Sequence, residues 1–437
     1  MKGERLVILG NGGAAIAAAR AARTSGHDGE IHIVSDTNTP AFNPMLSPYY
    51  LKRIIPWENC FPFGQRFYND YTVELHSGSR VESLDAARQQ VTLAGGEKLS
   101  YDKCLIATGA SPFIPPIPGL RSSPRSLPLR TASTARSMEK AIGVAQRMLV
   151  LGASLVGLKV AEILRKRGID VILLDVVDQI LPRNAHPSSA ALLAAYFEEH
   201  GVQIRLGCAL EGMEGAADGV ACRFPEGILE EVDFVSVCTG VRPNLDFVKD
   251  QVEIKQAIVA DERMRTSAPN LYAAGDVCQG LNPLSGEHEW LGTWGNACIQ
   301  GRIAGYNMAG LDIACPGSIP QNISPFFGWT YAQLGNIRPQ GDDVRSVIFG
   351  DPRQGGHFVL VFQRDVLIGA NLINCTHLAG KLRWAIVQKT CRKDFPGQDD
   401  EGFNECAVKK VLHDINEIGL TNSSRKLGSR VPVIPQR

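Results

Sequence analysis

LVLGASLVGLKVAEILRKRGIDVILLD, residues Leu149 to Asp175, decides how the rest of the chain is read. The apolar run Met148 to Leu151 predicts a strand and Gly152-Ala-Ser-Leu-Val-Gly157 a tight turn; the stretch through Arg167 predicts a helix, and Val171 to Leu174 a second strand closed by Asp175. Strand, glycine turn, helix, strand and acid, in that order, make a dinucleotide-binding βαβ unit. Gly152 permits the turn and Gly157 lets the helix close on the strand. The helix N-terminus, carrying roughly half a positive charge, suits a pyrophosphate.

A second unit of this kind opens the chain. Leu6 to Leu9 predicts a strand, Gly10-Asn-Gly12-Gly13-Ala14-Ala15 the turn, the alanine-rich stretch through Arg23 a helix, and Ile31 to Val34 a strand that ends at Asp36. This is the G-x-G-x-x-A form, with an acid placed to accept hydrogen bonds from a ribose. A lone fingerprint competes with a glycine turn of some other α/β fold; the ordered strand, helix, strand and acid weigh against that. Two dinucleotide sites in one chain imply electron transfer between two dinucleotides.

With 437 residues the chain is long enough for two or three domains. Lys and Arg (45) balance Asp and Glu (45), so nothing in the charge points to nucleic acid or an acidic membrane surface. The eleven cysteines run from Cys60 to Cys406 without a C-x-x-C, which argues against a disulfide framework, an iron–sulfur cluster and a structural zinc, and suits a reducing cytoplasm. The N-terminus shows no charged-then-apolar leader, and no apolar run approaches about 18 residues, so a soluble protein is expected. The nine histidines show no metal spacing, and no metal is expected.

From Thr39 to Tyr71 the text turns rich in proline and aromatics, a connection that covers something, with Ser47-Pro48 expected to cap and start a helix. Strands are expected over Val73 to Leu75, Arg80 to Leu84, Gln90 to Leu93 and Lys103 to Ala107. The last leads into Ala107-Thr108-Gly109-Ala110 and a run with prolines at 112, 115, 116 and 118, read as a crossing between domains. Ser126 to Gln146 is expected as a helical connection and Ser188 to His200 as a helix. Gln203 to Leu206 and Asp233 to Cys238 are expected as strands, the latter running into Thr239-Gly240-Val-Arg-Pro243-Asn244. Asn270 to Val277 predicts a short strand ending at Gly275-Asp276, with a helix from Thr293 to Gly310 behind it. Three antiparallel strands (Val344 to Phe349, His357 to Gln363, Leu367 to Leu372) and a helix from Thr376 to Thr390 follow, then a polar tail with one helix, Glu405 to Ile418.

In these residues the chain resembles the FAD-dependent pyridine nucleotide oxidoreductases, which include glutathione reductase, NADH oxidases, rubredoxin and ferredoxin reductases and the N-terminal part of the nitrite reductase large subunit. Five motifs come in the family's order: the fingerprint at Gly10, ATGA at Ala107, the fingerprint at Gly152, TG-x-x-PN at Thr239 and AAGD ending at Asp276. The resemblance implies an α/β fold with two Rossmann-like domains, an NAD domain (116–244) inserted in an FAD domain (1–115 and 245–325), and a C-terminal α+β interface domain (326–437). It implies that Gly10, Gly12, Ala15, Ala107, Thr108 and Gly109 belong to the FAD site, with Asp36 on the adenosine ribose and Asp276 on the ribityl chain. Gly152, Ser154 and Gly157 would hold NAD, with Gly240 lining the place where nicotinamide meets flavin. Asp175 suits a ribose diol, and a 2′-phosphate about 4 Å away would cost on the order of a few kcal/mol, so NAD(H) is expected over NADP(H).

The family's disulfide-reducing members carry a C-x-x-x-x-C pair after the second strand, and here Pro40 to Tyr50 has no cysteine, which argues against disulfide reduction and against a sulfenic acid cycle. FNPMLSPYY most resembles the rubredoxin reductase and nitrite reductase branch, with Pro44 in place of arginine. The expected activity is hydride transfer between NADH and FAD coupled to electron exchange with a separate iron–sulfur protein, in an oligomer or as the flavoprotein subunit of a complex such as a 2-oxoacid (phenylglyoxylate-type) dehydrogenase. A free-standing NADH oxidase and a non-catalytic FAD- and NAD-binding redox sensor or scaffold are the alternatives. Lys159 stands where the family usually has glutamate near the nicotinamide, a possible catalytic residue with Glu162 one turn on as a possible partner. Cys278 and Cys298 read as small buried hydrophobes, Arg165-Lys-Arg167 as a solvated helix end, and Trp290 and Trp294 as flavin cover or core.

Overall fold

The computed structural model describes residues 3–392, and the expected helix Glu405 to Ile418 and the polar tail lie outside them. The described chain forms two compact units, residues 3–180 with 197–318 and residues 181–196 with 319–392.

The first unit holds two parallel five-stranded sheets. In one, Leu6–Leu9 lies at the centre between Ile31–Val34 and Lys103–Ile106, with Glu74–His76 and Leu271–Ala273 on the edges. In the other, Arg147–Leu151 is central between Asp170–Leu174 and Phe234–Val237, flanked by Val202–Arg205 and Ser126–Pro128. The four residues of Leu6–Leu9 and of Ile31–Val34 are buried throughout, as strands covered on both faces must be. Each sheet is accompanied by a three-stranded antiparallel meander, Val81–Asp85 to Lys98–Ser100 for the first and Gly212–Gly215 to Leu229–Val232 for the second.

The chain crosses from one sheet to the other and back on two short strands, Ala110–Pro112 and Val241–Pro243, which pair antiparallel. The expected proline-rich crossing is therefore a two-stranded ribbon. It is short because its prolines lack donors to continue a ladder.

The helix Gly13–Thr24 packs on Trp294–Met308 so closely that a Cβ on Gly301 or Gly305 would lie 2.1 or 2.2 Å from the carbonyl oxygens of Ala14 and Ala18. The small residues of both helices are what permit that approach.

Several expectations are corrected. Ser126–Pro128 is an edge strand, with the helix beginning only at Ala132, where Thr131 caps Thr134 N in a capping box. Ser47 does not cap its helix: Asn43 Oδ1 accepts from Met45 N to start a 3-10 turn that runs on into Ser47–Leu51, and the Ser47 hydroxyl is buried with no hydrogen-bond partner. Lys98–Ser100 is a strand that its charge and short length concealed.

In the second unit the three expected strands are Val344–Asp351, Gly356–Gln363 and Val366–Ile373. Two more, Gln321–Phe326 and Trp329–Gly335, complete a five-stranded antiparallel sheet, with Ala379–Val387 as the helix. Residues 181–196 dock on this sheet. Tyr331 OH donates to the Asn184 carbonyl, Asn371 Oδ1 accepts from His186 N at 2.7 Å, and Tyr196 stacks on Trp329 with ring centroids 3.7 Å apart.

Candidate functional site

Both glycine turns sit at the C-terminal ends of central strands, where a parallel sheet opens a crevice for ligands. At the first, Gly10 has φ of +110° and a Cβ there would meet the Ala107 carbonyl oxygen at 2.2 Å, so only glycine brings this turn against the next strand. A Cβ on Gly12 would meet nothing within 4 Å, which leaves room in front of the helix start for a phosphate group. Ala15 is fully buried on the helix's inner face, so its small side chain serves helix–strand packing. Asp36 stands exposed just past the end of Ile31–Val34.

Ala107, Thr108 and Gly109 follow the strand beside Leu6–Leu9. They are tied to the returning crossover by Asn244, whose Nδ2 donates to the Thr108 carbonyl at 2.8 Å and whose N–H donates to the Gly109 carbonyl at 3.0 Å. Asp276, 8% exposed, ends the next strand-and-turn, and its Oδ2 accepts from Arg130 Nη2 at 2.5 Å. Arg130, which also donates to the Ala110 carbonyl, was not picked out from the sequence. Its place just before a capping box marks a helix start, but nothing local shows that its partner lies 146 residues away. Gln300 was also missed. Buried in the 294–308 helix, it accepts from Gly275 N at 2.8 Å and fixes the turn that carries Asp276.

At the second turn Gly152 has φ of +108° and a Cβ would lie 2.5 Å from the Cys238 carbonyl oxygen, while one on Gly157 would lie 1.9 Å from the Gly152 oxygen. Ser154 caps the helix Leu155–Lys166 by accepting from Gly157 N, and donates to the Cys238 carbonyl at 2.9 Å. The half-buried Asp175 accepts from Ala153 N at 2.7 Å, which aims its carboxylate at the turn. Gly240 closes this edge with φ of +102° and open space in front of it, and its carbonyl accepts from Phe113 N at 2.9 Å on the outgoing crossover.

Lys159 lies half-buried on the helix behind the second turn, and burial, then the neighbouring Lys52 cation, hold its pKa below the ordinary lysine value against the pull of Glu162. Glu162 is 1% exposed. Its two oxygens accept from Lys52 Nζ at 2.5 Å and Lys166 Nζ at 2.7 Å, and among the described residues Lys159 makes no ion pair. The expected Lys159–Glu162 pair is therefore replaced by one that ties Lys52, from the proline-rich segment, to the helix.

Arg165 pairs with Asp170 at 2.9 Å and Arg167 donates to the Leu51 carbonyl, so these side chains close the helix end. Trp290 Nε1 donates to the Asp276 carbonyl at 2.8 Å, and Trp294 packs where a Gly13 Cβ would be. Burial pushes the Cys278 and Cys298 thiols up, as it does Cys60, whose carbonyl accepts from Asn43 N in the segment where the redox cysteines would stand. None of these three sulfurs is set up as a thiolate.

The glycine cradles fit two dinucleotides, one at the C-terminal end of the central strand of each sheet. Residues 4–301 match the model of the family described as pyridine nucleotide-disulphide oxidoreductase. The chain is 32% identical over 368 residues to the NADH-dependent phenylglyoxylate dehydrogenase subunit epsilon of Aromatoleum evansii, covering 83% of this chain and 86% of that one. It is 28% identical over 385 residues to a rubredoxin-NAD(+) reductase of Pseudomonas putida, covering 87% and 98%. A water-forming NADH oxidase from Lactobacillus brevis shares the fold, with a TM-score of 0.86 at 21% identity over 97% of this chain and 100% of that one.

Proposed function

Because the chain belongs to the pyridine nucleotide-disulphide oxidoreductase family and is an FAD-dependent NAD(H) oxidoreductase, we propose that it exchanges electrons with a separate iron–sulfur protein as the flavoprotein subunit of a 2-oxoacid dehydrogenase complex of the phenylglyoxylate type. The observation that carries this reading is the combination of two dinucleotide cradles with the lack of a cysteine over Pro40 to Tyr50. FAD, when bound, supplies both hydride exchange with NAD(H) and single-electron exchange with a metal cluster.

In this reading the turn at Gly10 and Gly12, with Ala15 behind it and Ala107 to Gly109 beside it, holds the FAD pyrophosphate, and Asp36 accepts from its ribose. Asp276, oriented by Arg130, meets the ribityl chain. The turn at Gly152, Ser154 and Gly157 holds NAD(H), Asp175 selects it by its ribose diol, and Gly240 leaves space where the nicotinamide approaches. Residues 1–115 and 245–325 then serve as the FAD domain, 116–244 as the NAD domain and 326–437 as the interface domain. Lys159 places a cation near the nicotinamide, where the family resemblance implies an anion. No helix among the described residues is long and apolar enough to cross a membrane, and the ten described cysteines are free, which supports a reducing cytoplasm.

Anaerobic titration of the purified protein with NADH tests the reading. Rapid bleaching of the flavin, followed by reoxidation with an iron–sulfur protein and only slow reoxidation by oxygen, is expected. Fast aerobic turnover without a partner would make it an oxidase, and absent bleaching would make it a sensor or scaffold. Purification from the native host should bring iron with the chain; a chain that comes out alone and serves rubredoxin-like acceptors well would refute the subunit assignment.

A further inference from the structure

We propose that His32, Glu74 and His76 form a binding site for a divalent transition-metal ion of the zinc class, on the outer edge of the first parallel sheet. His32 and Glu74 are partners in the register between Ile31–Val34 and the edge strand Glu74–His76, and His76, two residues on, shares that face. The register brings together donors 44 residues apart, which no sequence spacing announces.

The geometry suits an ion. His32 Nδ1 and His76 Nε2 lie 3.0 Å apart, and Glu74 oxygens lie 3.5 Å from the first and 3.4 Å from the second. Donors around a tetrahedral zinc, with bonds of about 2.0–2.1 Å, are about 3.4 Å apart, so one ion can reach all three with small side-chain shifts. Two imidazoles and a carboxylate favour zinc and its neighbours over calcium or magnesium. The histidine side chains are 9% and 15% exposed while Glu74 is 65% exposed, which leaves an entry path and a water position on the solvent side.

A second observation points the same way. Metal-binding histidines commonly donate their other ring N–H to a carboxylate, and His32 Nε2 lies 3.4 Å from Glu30 Oε2, which Arg5 Nε holds at 2.7 Å. In the Nε2–H tautomer His32 offers its Nδ1 lone pair to the ion and keeps this outer contact. With the ion bound, the edge strand is clamped to its neighbour through side chains as well as backbone.

The full-length flavin-loaded protein, treated with chelator and dialysed, is to be titrated with zinc sulfate by calorimetry alongside His76→Gln, Glu74→Gln and Glu30→Gln. One equivalent in the unaltered chain is expected, lost in His76→Gln and weakened at least about 10-fold in Glu30→Gln. Zinc should raise Tm in the unaltered chain and not in His76→Gln. Glu74→Gln, at an exposed position where folding is not at risk, should also bind more weakly. No equivalent in the unaltered chain overturns the site; one retained in His76→Gln or undiminished in Glu74→Gln overturns it too and assigns the bound zinc elsewhere. None of these side chains belongs to either proposed dinucleotide cradle, so zinc titration and flavin bleaching by NADH report separately on the metal site and on the proposed function.

Discussion

Asp175 is the residue on which cofactor choice turns in the proposed function. Its carboxylate accepts from the Ala153 N–H of the second glycine turn, and in that reading it meets a ribose hydroxyl of the bound nucleotide. Coulomb repulsion of a phosphate about 4 Å away amounts to roughly 4 kcal/mol at a surface-like dielectric, so NADH should be preferred. Asp175→Ala is expected to lower kcat/KM for NADH and narrow its advantage over NADPH at least tenfold, read from steady-state kinetics with both nucleotides. Lys159 poses a different question, because its charge is half-buried and makes no ion pair among the described residues. Since its pKa is lowered in the fold, the folded chain holds fewer protons at this site than the unfolded one between that lowered value and 10.5. The cost of the charge is therefore full at low pH and disappears as pH rises through the window. Lys159→Met should stabilise the protein near neutral pH, with the advantage fading towards pH 10.5 in chemical denaturation. A constant advantage would mean that packing, not charge, governs the position. Lys159→Glu is further expected to change NADH affinity or the rate of flavin reduction.

At the scale of elements, the helices Gly13–Thr24 and Trp294–Met308 depend on glycines that face the backbone of the neighbouring helix. Gly305→Ala forces a Cβ to within about 2.2 Å of the Ala18 carbonyl oxygen, and such overpacking costs about 1–3 kcal/mol. The opposite is expected of Gly380→Ala, an exposed position in the helix Ala379–Val387 with nothing within 4 Å of the added carbon. There the gain in helix propensity should stabilise by roughly 0.5–1 kcal/mol. Urea unfolding of the two variants distinguishes space from propensity as the controlling factor. Both βαβ units were legible because strand burial, glycine turn and helix period are local signals. The edge strands Ser126–Pro128 and Lys98–Ser100 were not, since three residues of mixed polarity carry no period of their own and acquire pairing only from a neighbour.

At the scale of the whole molecule, a dinucleotide that binds only the folded chain stabilises the native state by mass action. FAD at 100 times its Kd contributes about 2.7 kcal/mol. Removing the flavin is expected to lower Tm, and adding FAD, but not riboflavin, to restore it, because in the proposed function the glycine turn holds the pyrophosphate, which riboflavin lacks. A Tm indifferent to FAD would contradict the proposed cradle at Gly10. In the other compact unit, residues 181–196 join the antiparallel sheet through the Asn184 carbonyl, which accepts from Asn371 across 187 positions.

The sequence by itself determined the two glycine turns, their strands and helices, the acids that follow them and the missing redox cysteines. These are set by φ preference, hydrophobic period and residue chemistry within about thirty positions. Only the tertiary structure decided that Arg130 would hold Asp276, that Glu162 would take Lys52 in place of Lys159, and that His32 would stand beside Glu74 and His76. Such pairings come from strand order and from burial that brings polar groups distant in sequence against one another. Neither is encoded in spacing along the chain. The segment opened at Leu149 thus specified a dinucleotide turn, while packing against Cys238 and the 47–52 segment settled what each of its side chains does.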